Sequence, residues 1–238
     1  KLEVCKDKGI AKVSCNVRLK EIEEAALKEG FMYPVDPTEK DAFIGGNIAT
    51  NASGAKSFKF GSTRDYVISL RVVLADGDML RIKRGEYICN RDSTLRISTQ
   101  AGRPLDFKLP SYKMPAIKNA AGYFVMEKMD LIDLFIGQEG TLGIITEAEL
   151  RLVKSPKNII GILSFFESEE GSLSFSDRLR ELSHGELHEK DTTPVSIEFF
   201  DMRSIEMLRQ EYKHIPPNAS SAIFFELMID KDADYDML

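Results

Sequence analysis

A run of small residues at positions 44–54 is the part of this sequence best suited to bind a ligand through its main chain. It reads Ile-Gly-Gly-Asn-Ile-Ala-Thr-Asn-Ala-Ser-Gly, where a core element would carry bulky apolar side chains. Because glycine has no Cβ, the chain at Gly45 and Gly46 can approach a flat or anionic group closely and offer successive N–H groups to phosphate oxygens. The same composition also fits two tight turns joined by a short helix.

A second glycine motif lies far downstream, at residues 136–147. It reads Ile-Gly-Gln-Glu-Gly-Thr-Leu-Gly-Ile-Ile-Thr-Glu, so that three glycines lead directly into a β-branched run. That run is typical of a strand. A shorter segment at residues 60–65, Phe-Gly-Ser-Thr-Arg-Asp, follows the first motif.

Together these motifs resemble the FAD-linked oxidase family, the vanillyl-alcohol-oxidase type of flavoprotein, and within it the glycolate oxidase and D-lactate dehydrogenase branch. No G-x-G-x-x-G follows a strand, so a Rossmann dinucleotide fold is not indicated. The resemblance implies an α+β fold, in which a partial FAD-binding domain of the PCMH type over residues 1–155 precedes part of a ferredoxin-like α+β cap domain over residues 156–238. The matching blocks are residues 33–38 (Tyr-Pro-Val-Asp-Pro-Thr), 44–65, 70–77 (Leu-Arg-Val-Val-Leu-Ala-Asp-Gly), 118–123 (Lys-Asn-Ala-Ala-Gly-Tyr) and 137–147.

The resemblance implies that FAD is held by loops whose main chain wraps its pyrophosphate and ring system. The two glycine-lined stretches would meet in space as one wall of that cradle, and the turn at residues 36–38 would face it, stiffened by prolines. Each of these residues has an alternative role as a turn residue or cap. The residues implied to contact FAD are Asp36, Pro37, Thr38, Ala42, Gly45, Gly46, Asn47, Thr50, Asn51, Ala52, Gly54, Gly61, Glu139, Gly140, Thr141, Gly143, Ile144 and Ile145.

Relative to that family, the chain looks truncated at both ends. Family members begin this domain with further strands and a second glycine-rich loop for the pyrophosphate, and nothing of that kind precedes Lys1. The histidines and glutamate with which the branch binds a metal or substrate lie in a later segment, which we expect to be missing here. We therefore expect this piece alone to be inactive.

The implied function is FAD-dependent oxidation of a small D-2-hydroxy acid such as lactate or glycolate, by hydride transfer to flavin N5. The catalytic base and the carboxylate clamp cannot be placed in this sequence, because the positive groups near the motifs, Arg64 and Lys118, are expected in local salt bridges or at the surface. Two alternatives stay open. One is a flavin-dependent transferase like alkyl-dihydroxyacetonephosphate synthase, and the other is a non-catalytic or electron-relay subunit that docks to an iron–sulfur partner.

Other chemistries have little support. His184 and His188 are four residues apart, but a glycine lies between them and the order is not His-Glu-x-x-His, so a surface loop is the ordinary explanation and no metal site is predicted. Three cysteines without CxxC spacing favour free thiols in a reducing compartment, with a Cys5–Cys15 bridge as the less favoured alternative. No Gly-x-Ser-x-Gly elbow or P-loop occurs.

Composition argues against several kinds of partner. The net charge is −6 over 238 residues, and no segregated run of basic and aromatic residues occurs, so nucleic acid and anionic membrane surfaces are not expected partners. No apolar stretch approaches the ~20 residues that span a bilayer. We expect a cytoplasmic protein that associates with a membrane only through partners.

The first domain must position the motifs with a small set of elements. We expect two strands within residues 2–17, an amphipathic helix over 19–28 ended by Gly30, and a hairpin around Asp76-Gly77 that exposes the basic side chains of residues 81–84. Proline and glycine between residues 86 and 119 predict an extended excursion with little regular structure. One or two apolar helical turns at 129–136 and a strand over 144–153 complete the set.

A change of pattern at Lys154-Ser155-Pro156 predicts a domain boundary. Strands and helices alternate after it, which predicts a sheet with helices on one face. Asp201 is expected to cap the second helix, although Glu198 and Asp201 could alternatively serve the site. The expected elements are a strand at 159–166, a helix at 168–182, a strand at 194–200, a helix at 203–212 and a strand at 222–229.

Overall fold

A computed structural model describes residues 1–89, 94–117, 119–184 and 192–229. Lys118 and His188, which the sequence pattern singled out, lie outside the described residues. The chain divides into two compact units: Lys1–Gly54 with Gly61–Ser155, and Ala55–Phe60 with the chain from Pro156 onward. Within the described ranges, none of the helices is both long and apolar enough to cross a membrane.

The elements are numbered along the chain. The strands are β1 Leu2–Cys5, β2 Ile10–Ser14, β3 Phe31–Met32, β4 Val67–Val73, β5 Met79–Lys83, β6 Ile88–Cys89, β7 Thr94–Ser98, β8 Pro104–Lys108, β9 Met129–Asp130, β10 Ile144–Arg151, β11 Val153–Lys154, β12 Asn158–Phe166, β13 Thr192–Phe200 and β14 Ser221–Ile229. The helices are α1 Leu19–Lys28, α2 Ile44–Ala49, α3 Ser57–Phe60, α4 Ile132–Phe135, α5 Glu169–His184 and α6 Met202–Glu211.

A five-stranded antiparallel sheet organises the first unit, in the order β1-β2-β10-β4-β5. Alternate residues of its strands point to one covered face, where Ala11, Val13, Leu70, Ile82 and Leu150 are at most 3% exposed. The apolar face of α1 is buried as well. This sheet positions both glycine motifs, because Cys15, directly after β2, accepts the N–H of Gly45, and β10 begins at Ile144, inside the second motif.

Most of the predicted elements of the first unit are confirmed. A 3₁₀ turn at Lys6–Lys8, closed by Gly9 at φ 60°, joins β1 to β2, and α1 spans the predicted residues. β4 and β5 pair as predicted, but residues 74–78 join them, and the tight turn spans residues 74–77, where the N–H of Gly77 donates to the carbonyl of Leu74 at 2.9 Å. Arg81 and Lys83 are exposed as expected, whereas Arg84 is partly buried.

The excursion between residues 86 and 119 has more regular structure than the sequence predicted. β7 and β8 form an antiparallel hairpin whose register runs from Thr94 opposite Lys108 to Ser98 opposite Pro104. Gly102, at φ 82°, lies in the turn between them. Pro104 is the first residue of its strand, a position where a missing N–H is tolerated. Gly102 and Pro104 therefore belong to a hairpin, whereas residues 109–117, which include Pro110 and Pro115, contain no helix or strand, as predicted.

The second unit contains a three-stranded antiparallel sheet in the order β12-β14-β13, and the predicted alternation of strands and helices is confirmed. Leu179 of α5 packs in one core with Ile223 and Phe225 of β14, whereas Ile205 of α6 packs with Ala222. Successive residues of a strand point to opposite faces. The two helices therefore contact opposite faces of β14, which differs from the predicted one-sided arrangement.

The predicted cap of α6 is confirmed. Asp201 precedes the helix in extended conformation, and its carboxylate accepts a hydrogen bond from the N–H of Ser204 at 2.8 Å. This bond lowers the pKa of Asp201 below its ordinary value.

Candidate functional site

The first glycine motif folds as the short helix α2. A methyl group on Gly45 would lie 2.7 Å from Cβ and 3.0 Å from the carbonyl oxygen of Cys15, so this glycine lets the helix pack closely against the end of β2. A methyl group on Gly46 would meet no atom of the described residues within 4 Å. Two adjacent glycines thus do different things: one permits contact with the sheet, and the next borders open space.

The N–H groups of these glycines are already bonded. Gly45 N–H donates to the carbonyl of Cys15 and Gly46 N–H to the carbonyl of Phe43, both at 3.0 Å. The expectation that this run presents successive donors to phosphate is therefore wrong for these two residues. The alternative, a short helix of small residues, describes the structure. What α2 offers on its open side is the bare Cα of Gly46.

The second glycine motif attaches directly to the end of this helix. Gly137 N–H donates to the carbonyl of Ile48 at 2.9 Å, and Glu139 N–H donates to that of Ala49 at 2.8 Å. Left-handed φ values of 87° at Gly137, 53° at Glu139 and 82° at Gly140 give this loop its path. The two motifs, far apart in sequence, are thus joined by main-chain hydrogen bonds.

The loop after Gly137 is held in one shape by side chains. Gln138 is 2% exposed; its Nε2 donates to the carbonyl of Gly143 at 2.9 Å, and its Oε1 accepts the N–H of Leu142 at 2.7 Å. The hydroxyl of Thr141 donates to the carbonyl of Gln138 and accepts from the hydroxyl of Tyr123, the latter at 2.7 Å. We call residues 138–143, fixed in this way, the Gln138 loop.

α2 and the Gln138 loop border one cleft of about 520 Å³ within the first unit. Two apolar side chains beside it are largely exposed, Phe43 by 50% and Ile144 by 64%. Small wall residues and exposed apolar side chains suit a flat ring system better than a compact ion. The residues that line the cleft are Cys15, Asn16, Phe43, Gly45, Gly46, Ala49, Gln138, Gly140, Gly143, Ile144, Ile145 and Thr146.

Part of the predicted site lies in this lining, namely Gly45, Gly46, Gly140, Gly143, Ile144 and Ile145. Gly143, at φ 149°, is pressed on the sheet, since a methyl group there would lie 2.7 Å from Cγ1 of Val72. Glu139 and Thr141 belong to the same loop but do not line the cleft. Their hydrogen bonds, described above, fix the conformation of the loop and attach it to α2.

The predicted turn at residues 36–38 lies against Gly54 rather than in the cleft lining. Any side chain on Gly54 would overlap the carbonyl oxygen of Asp36, so only glycine permits this crossing of the two main chains. The carboxylate of Asp36 pairs with Lys40, whose Nζ also lies 2.6 Å from Oε1 of Glu23. Thr38 is exposed.

Three further predicted residues fix the chain that follows α2. The hydroxyl of Thr50 donates to a carbonyl of α2 at 2.9 Å. Asn51, at φ 49°, accepts the N–H of Arg64 on Oδ1 at 3.0 Å. The carbonyl of Ala52 accepts both the N–H and the hydroxyl of Thr63, at 3.1 and 2.8 Å.

The remaining predicted residues have local roles in the structure. Asn47 is 7% exposed, and its side-chain nitrogen has no hydrogen-bond partner among the described residues. The carbonyl of Ala42 accepts the N–H of Leu19 at 3.0 Å. Gly61 has φ 82° and lies so close to the carboxylate of Asp65 that a side chain there would strike it.

Sequence reasoning missed half of the lining. Ala49, Gln138 and Thr146 are inside the quoted motifs, so motif membership could have found them. Cys15 reaches the cleft only because β2 pairs with β10. Burial, and secondarily the charge of Glu147, raises the pKa of Cys15 to about 12, so its thiol is protonated at neutral pH and is a poor nucleophile. The missed lining residues are Cys15, Asn16, Phe43, Ala49, Gln138 and Thr146.

A buried charge cluster next to the second motif was also missed. The side chain of Arg64, expected at the surface or in a local salt bridge, is 13% exposed and donates to the carbonyls of Asp133 and Ile136, the latter at 2.6 Å. Its guanidinium lies 4.1 Å from the ring centre of Phe124. The carboxylate of Asp133 also binds Arg84 at 2.9 Å. Burial lowers the pKa of Arg64, and Asp133 opposes that shift.

Metal ligands do not cluster in the part of the chain that the structure describes: it holds no group of three or more His, Cys, Asp or Glu side chains placed to bind an ion. Nε2 of His184 lies 2.9 Å from the carbonyl oxygen of Phe58, and the two rings pack edge to face. The alternative disulfide bridge is not formed. The free thiols are Cys5, Cys15 and Cys89.

Comparison with known proteins identifies the kind of domain that carries this cleft. Residues 1–83, which include α2, match the family model of an FAD binding domain. The chain belongs to the FAD-linked oxidase family. Its relatives place the chain in the glycolate oxidase and D-lactate dehydrogenase branch of that family, and the matched domain indicates FAD as the cofactor.

Three curated relatives show how far the likeness extends. The chain is 34% identical over 169 residues to the D-lactate dehydrogenase of Anaerostipes hadrus, covering 71% of this chain and 28% of that protein. It is 30% identical over 237 residues to glycolate oxidase subunit GlcD of Bacillus subtilis, with 99% and 40% covered. For the D-2-hydroxyglutarate dehydrogenase of Stutzerimonas stutzeri the identity is 35% over 144 residues, with 60% and 23% covered. The chain thus spans less than half the length of these relatives.

Solved structures confirm the α+β fold of the FAD-linked oxidases. Alkyldihydroxyacetonephosphate synthase matches with a TM-score of 0.65 over 98% of this chain and 37% of that chain, at 19% identity. A second crystal form of the same enzyme gives 0.63, with 96% and 36% covered, at 18% identity. At such identities the likeness concerns the fold alone.

The cleft fits the cofactor that the FAD binding domain indicates. The isoalloxazine of FAD is a flat ring system with an apolar dimethylbenzene half, which needs a wall without protruding side chains and apolar flanks on one side. The open space beside Gly46, which a Cβ would begin to fill, leaves this wall free of side chains, and Phe43 and Ile144 provide the apolar flanks.

Proposed function

We propose that the protein carrying this chain uses FAD to oxidise a small D-2-hydroxy acid, and that α2 and the Gln138 loop form one wall of its flavin site. The observation that carries the proposal is the cleft shared by Gly46 and Gly140, in a domain whose relatives are named D-lactate dehydrogenase, glycolate oxidase subunit and D-2-hydroxyglutarate dehydrogenase. Bound FAD supplies the hydride acceptor.

In this proposal the described residues act through shape. Gly46 leaves room for the ring, and Phe43 and Ile144 cover its edges and exclude water. Gln138 keeps the loop from closing the cleft, because both ends of its amide are bonded within the loop. The predicted cofactor residues outside the lining, such as Asn51, support the main chain behind it.

We assign residues 1–155 to the FAD-binding domain and residues 156–238 to a cap domain on the substrate side. The division of the chain at Ser155 and Pro156, and the alternating strands and helices after it, support this assignment. One contact pattern refines it, since the segment Ala55–Phe60 belongs with the second unit. Limited proteolysis should cut first near residue 155, and an uncut junction with early cleavage inside either unit would contradict the assignment.

A relative named as a subunit supports a multi-subunit enzyme. We infer that electrons from the substrate leave for a partner protein rather than for oxygen. The test is the rate at which the substrate-reduced protein is reoxidised in air-saturated buffer. Reoxidation by oxygen at the full turnover rate would contradict the inference.

The full-length protein tests the activity directly. Its flavin absorbance bands are recorded, and D-lactate, glycolate and D-2-hydroxyglutarate are then added without oxygen. We expect at least one of them to bleach the bands, and L-lactate, the matched enantiomer, to leave them unchanged. Bands that no hydroxy acid bleaches would reject the dehydrogenase, and a colourless protein that FAD cannot reconstitute would reject the flavin site.

A further inference from the structure

Arg64 lies outside the cleft lining, yet it contacts both of the segments that carry the glycine motifs. We infer that Arg64 is a positioning residue, which holds the Gln138 loop against α2 in the geometry that FAD needs. The inference rests on the proposed flavin site. It concerns a residue that touches neither the cleft nor a reacting atom.

The contacts of Arg64 join the chain after α2 to the chain before the loop. Its main-chain N–H donates to Oδ1 of Asn51 at 3.0 Å. Its guanidinium donates to the carbonyls of Asp133 and Ile136. Between these contacts lies Gly137, where a methyl group would come 3.3 Å from Cβ of Asn51 and 3.6 Å from Nη2 of Arg64.

The consequence for the cleft follows from the chain order. Ile136, whose carbonyl Arg64 holds, immediately precedes Gly137, the residue that donates to the carbonyl of Ile48 in α2. Fixing the peptide of Ile136 therefore aims the N–H groups of Gly137 and Glu139 at the end of the helix. Without the hydrogen bond from Arg64 to Ile136, water competes for the N–H groups of Gly137 and Glu139, and the loop becomes more mobile.

Lysine cannot replace arginine in this role. The guanidinium reaches two carbonyls at once, and its Cζ lies over the ring of Phe124, 4.1 Å from the ring centre. An ammonium group is a compact point charge without a plane or a fixed fork of donors. Arg64→Lys keeps the positive charge beside Asp133 and removes the planar group that bonds two carbonyls and lies over Phe124.

Arg84 provides a matched control in the same cluster. It binds the same carboxylate of Asp133, and its other bonds go to the carbonyls of Val67 at 2.9 Å and Arg64 at 3.0 Å. None of these bonds reaches the chain from Ile136 onward. Arg84→Lys therefore perturbs the charge cluster and leaves the hold on Ile136 in place.

The experiment compares R64K and R84K in the full-length protein. Amide hydrogen exchange of the apoprotein reports on the N–H groups of Gly137 and Glu139, and titration with FAD reports affinity. We expect R64K to speed exchange at both amides and to weaken FAD binding about 10- to 100-fold, the effect of losing a hydrogen bond to a charged group. R84K should lower the melting temperature comparably and change neither readout by more than about threefold.

Equal effects of R64K and R84K on exchange and affinity would overturn the inference, as would unchanged exchange in R64K. If R64K does not fold, Phe124→Leu removes only the aromatic ring beneath the guanidinium of Arg64. Faster exchange at Gly137 in that variant supports the inference, and unchanged exchange overturns it. A wild-type protein that never binds FAD would reject the proposed function instead, while the exchange measurement still tests Arg64.

Discussion

Replacing Gly46 by alanine should stabilise the apoprotein and weaken its binding of FAD. The new Cβ meets no atom of the described residues within 4 Å, so the apoprotein has space for it. Gly46 is inside the helix α2, where glycine is about 0.5–1 kcal/mol less favourable than alanine. We expect the free energy of unfolding to rise by about that amount.

The same methyl group enters the cleft, where the flavin is proposed to lie. Forcing an extra methyl group into a close-packed contact costs about 1–3 kcal/mol. That cost corresponds to a dissociation constant for FAD about 5- to 150-fold larger. The variant should therefore be more stable without the cofactor and less saturated with it.

The neighbouring Gly45 supplies the control. An alanine there would place its methyl group 2.7 Å from Cβ of Cys15, so steric strain should outweigh the gain in helix propensity. We expect Gly45→Ala to lower the stability of the apoprotein while Gly46→Ala raises it. Both are measured by urea unfolding of the apoprotein and by titration with FAD followed through flavin fluorescence.

Two results would refute this reasoning. Gly46→Ala with unchanged affinity for FAD would show that the cofactor does not lie against α2. Gly46→Ala with lower apoprotein stability would show that the space beside it is filled in the whole protein.

Three further predictions concern stability and reactivity. Ile223→Ala removes a side chain that is 0% exposed and should lower the free energy of unfolding by about 2–5 kcal/mol. Leu163→Ala, at a side chain that is 44% exposed, should lower it by less than ~1 kcal/mol. Equal shifts of the two variants in urea unfolding would contradict the assigned core. A backbone N–H at the start of α6 donates to the carboxylate of Asp201 and lowers the pKa of that carboxylate. The stabilisation from this hydrogen bond is therefore fully present above the ordinary aspartate pKa of about 4, and it is lost as the pH falls through the lower pKa of the folded state. Melting temperatures of Asp201→Asn measured across that acid range should therefore depend less on pH than those of the wild type. Burial and the charge of Glu147 raise the pKa of Cys15 to about 12, so its thiol should react with iodoacetamide far more slowly than a free thiol near pH 8. Glu147→Gln should speed the reaction. A wild-type rate equal to that of free cysteine would contradict the burial of Cys15.

Local patterns were sufficient for most of the elements. The Asp76-Gly77 pair indicates a hairpin by itself, although residues 74–78 join the strands instead of a two-residue loop, and the spacing of Leu19, Ile22 and Ala26 specifies one buried helical face. Each of these signals lies within a few residues of the element it forms. The hairpin at residues 94–108 was missed because Gly102 and Pro104 indicate a turn equally well inside a hairpin and inside an irregular loop.

The site depended on contacts between distant residues, and these left no local signal. A pair of glycines indicates room, but only the position of Cys15 decides that Gly45 meets the sheet and Gly46 the cleft. Arg64 looks like a surface residue until Asp133, 69 positions away, is placed beside it. A resemblance of motifs could identify the cofactor, whereas the supporting contacts required the fold.

The hydrogen bonds that join α2 to the second motif bear on the timing of biosynthesis. A segment of six residues with two glycines does not form a helix alone in water. The carbonyls of Ile48 and Ala49, at the end of this helix, accept hydrogen bonds from the N–H groups of Gly137 and Glu139. A ribosome that adds about 5–20 residues per second synthesises those two residues roughly 4–18 s after the helix. Until then we expect the nascent chain to carry this stretch without structure, open to chaperones and proteases, so that cofactor loading begins only after the second motif has left the exit tunnel.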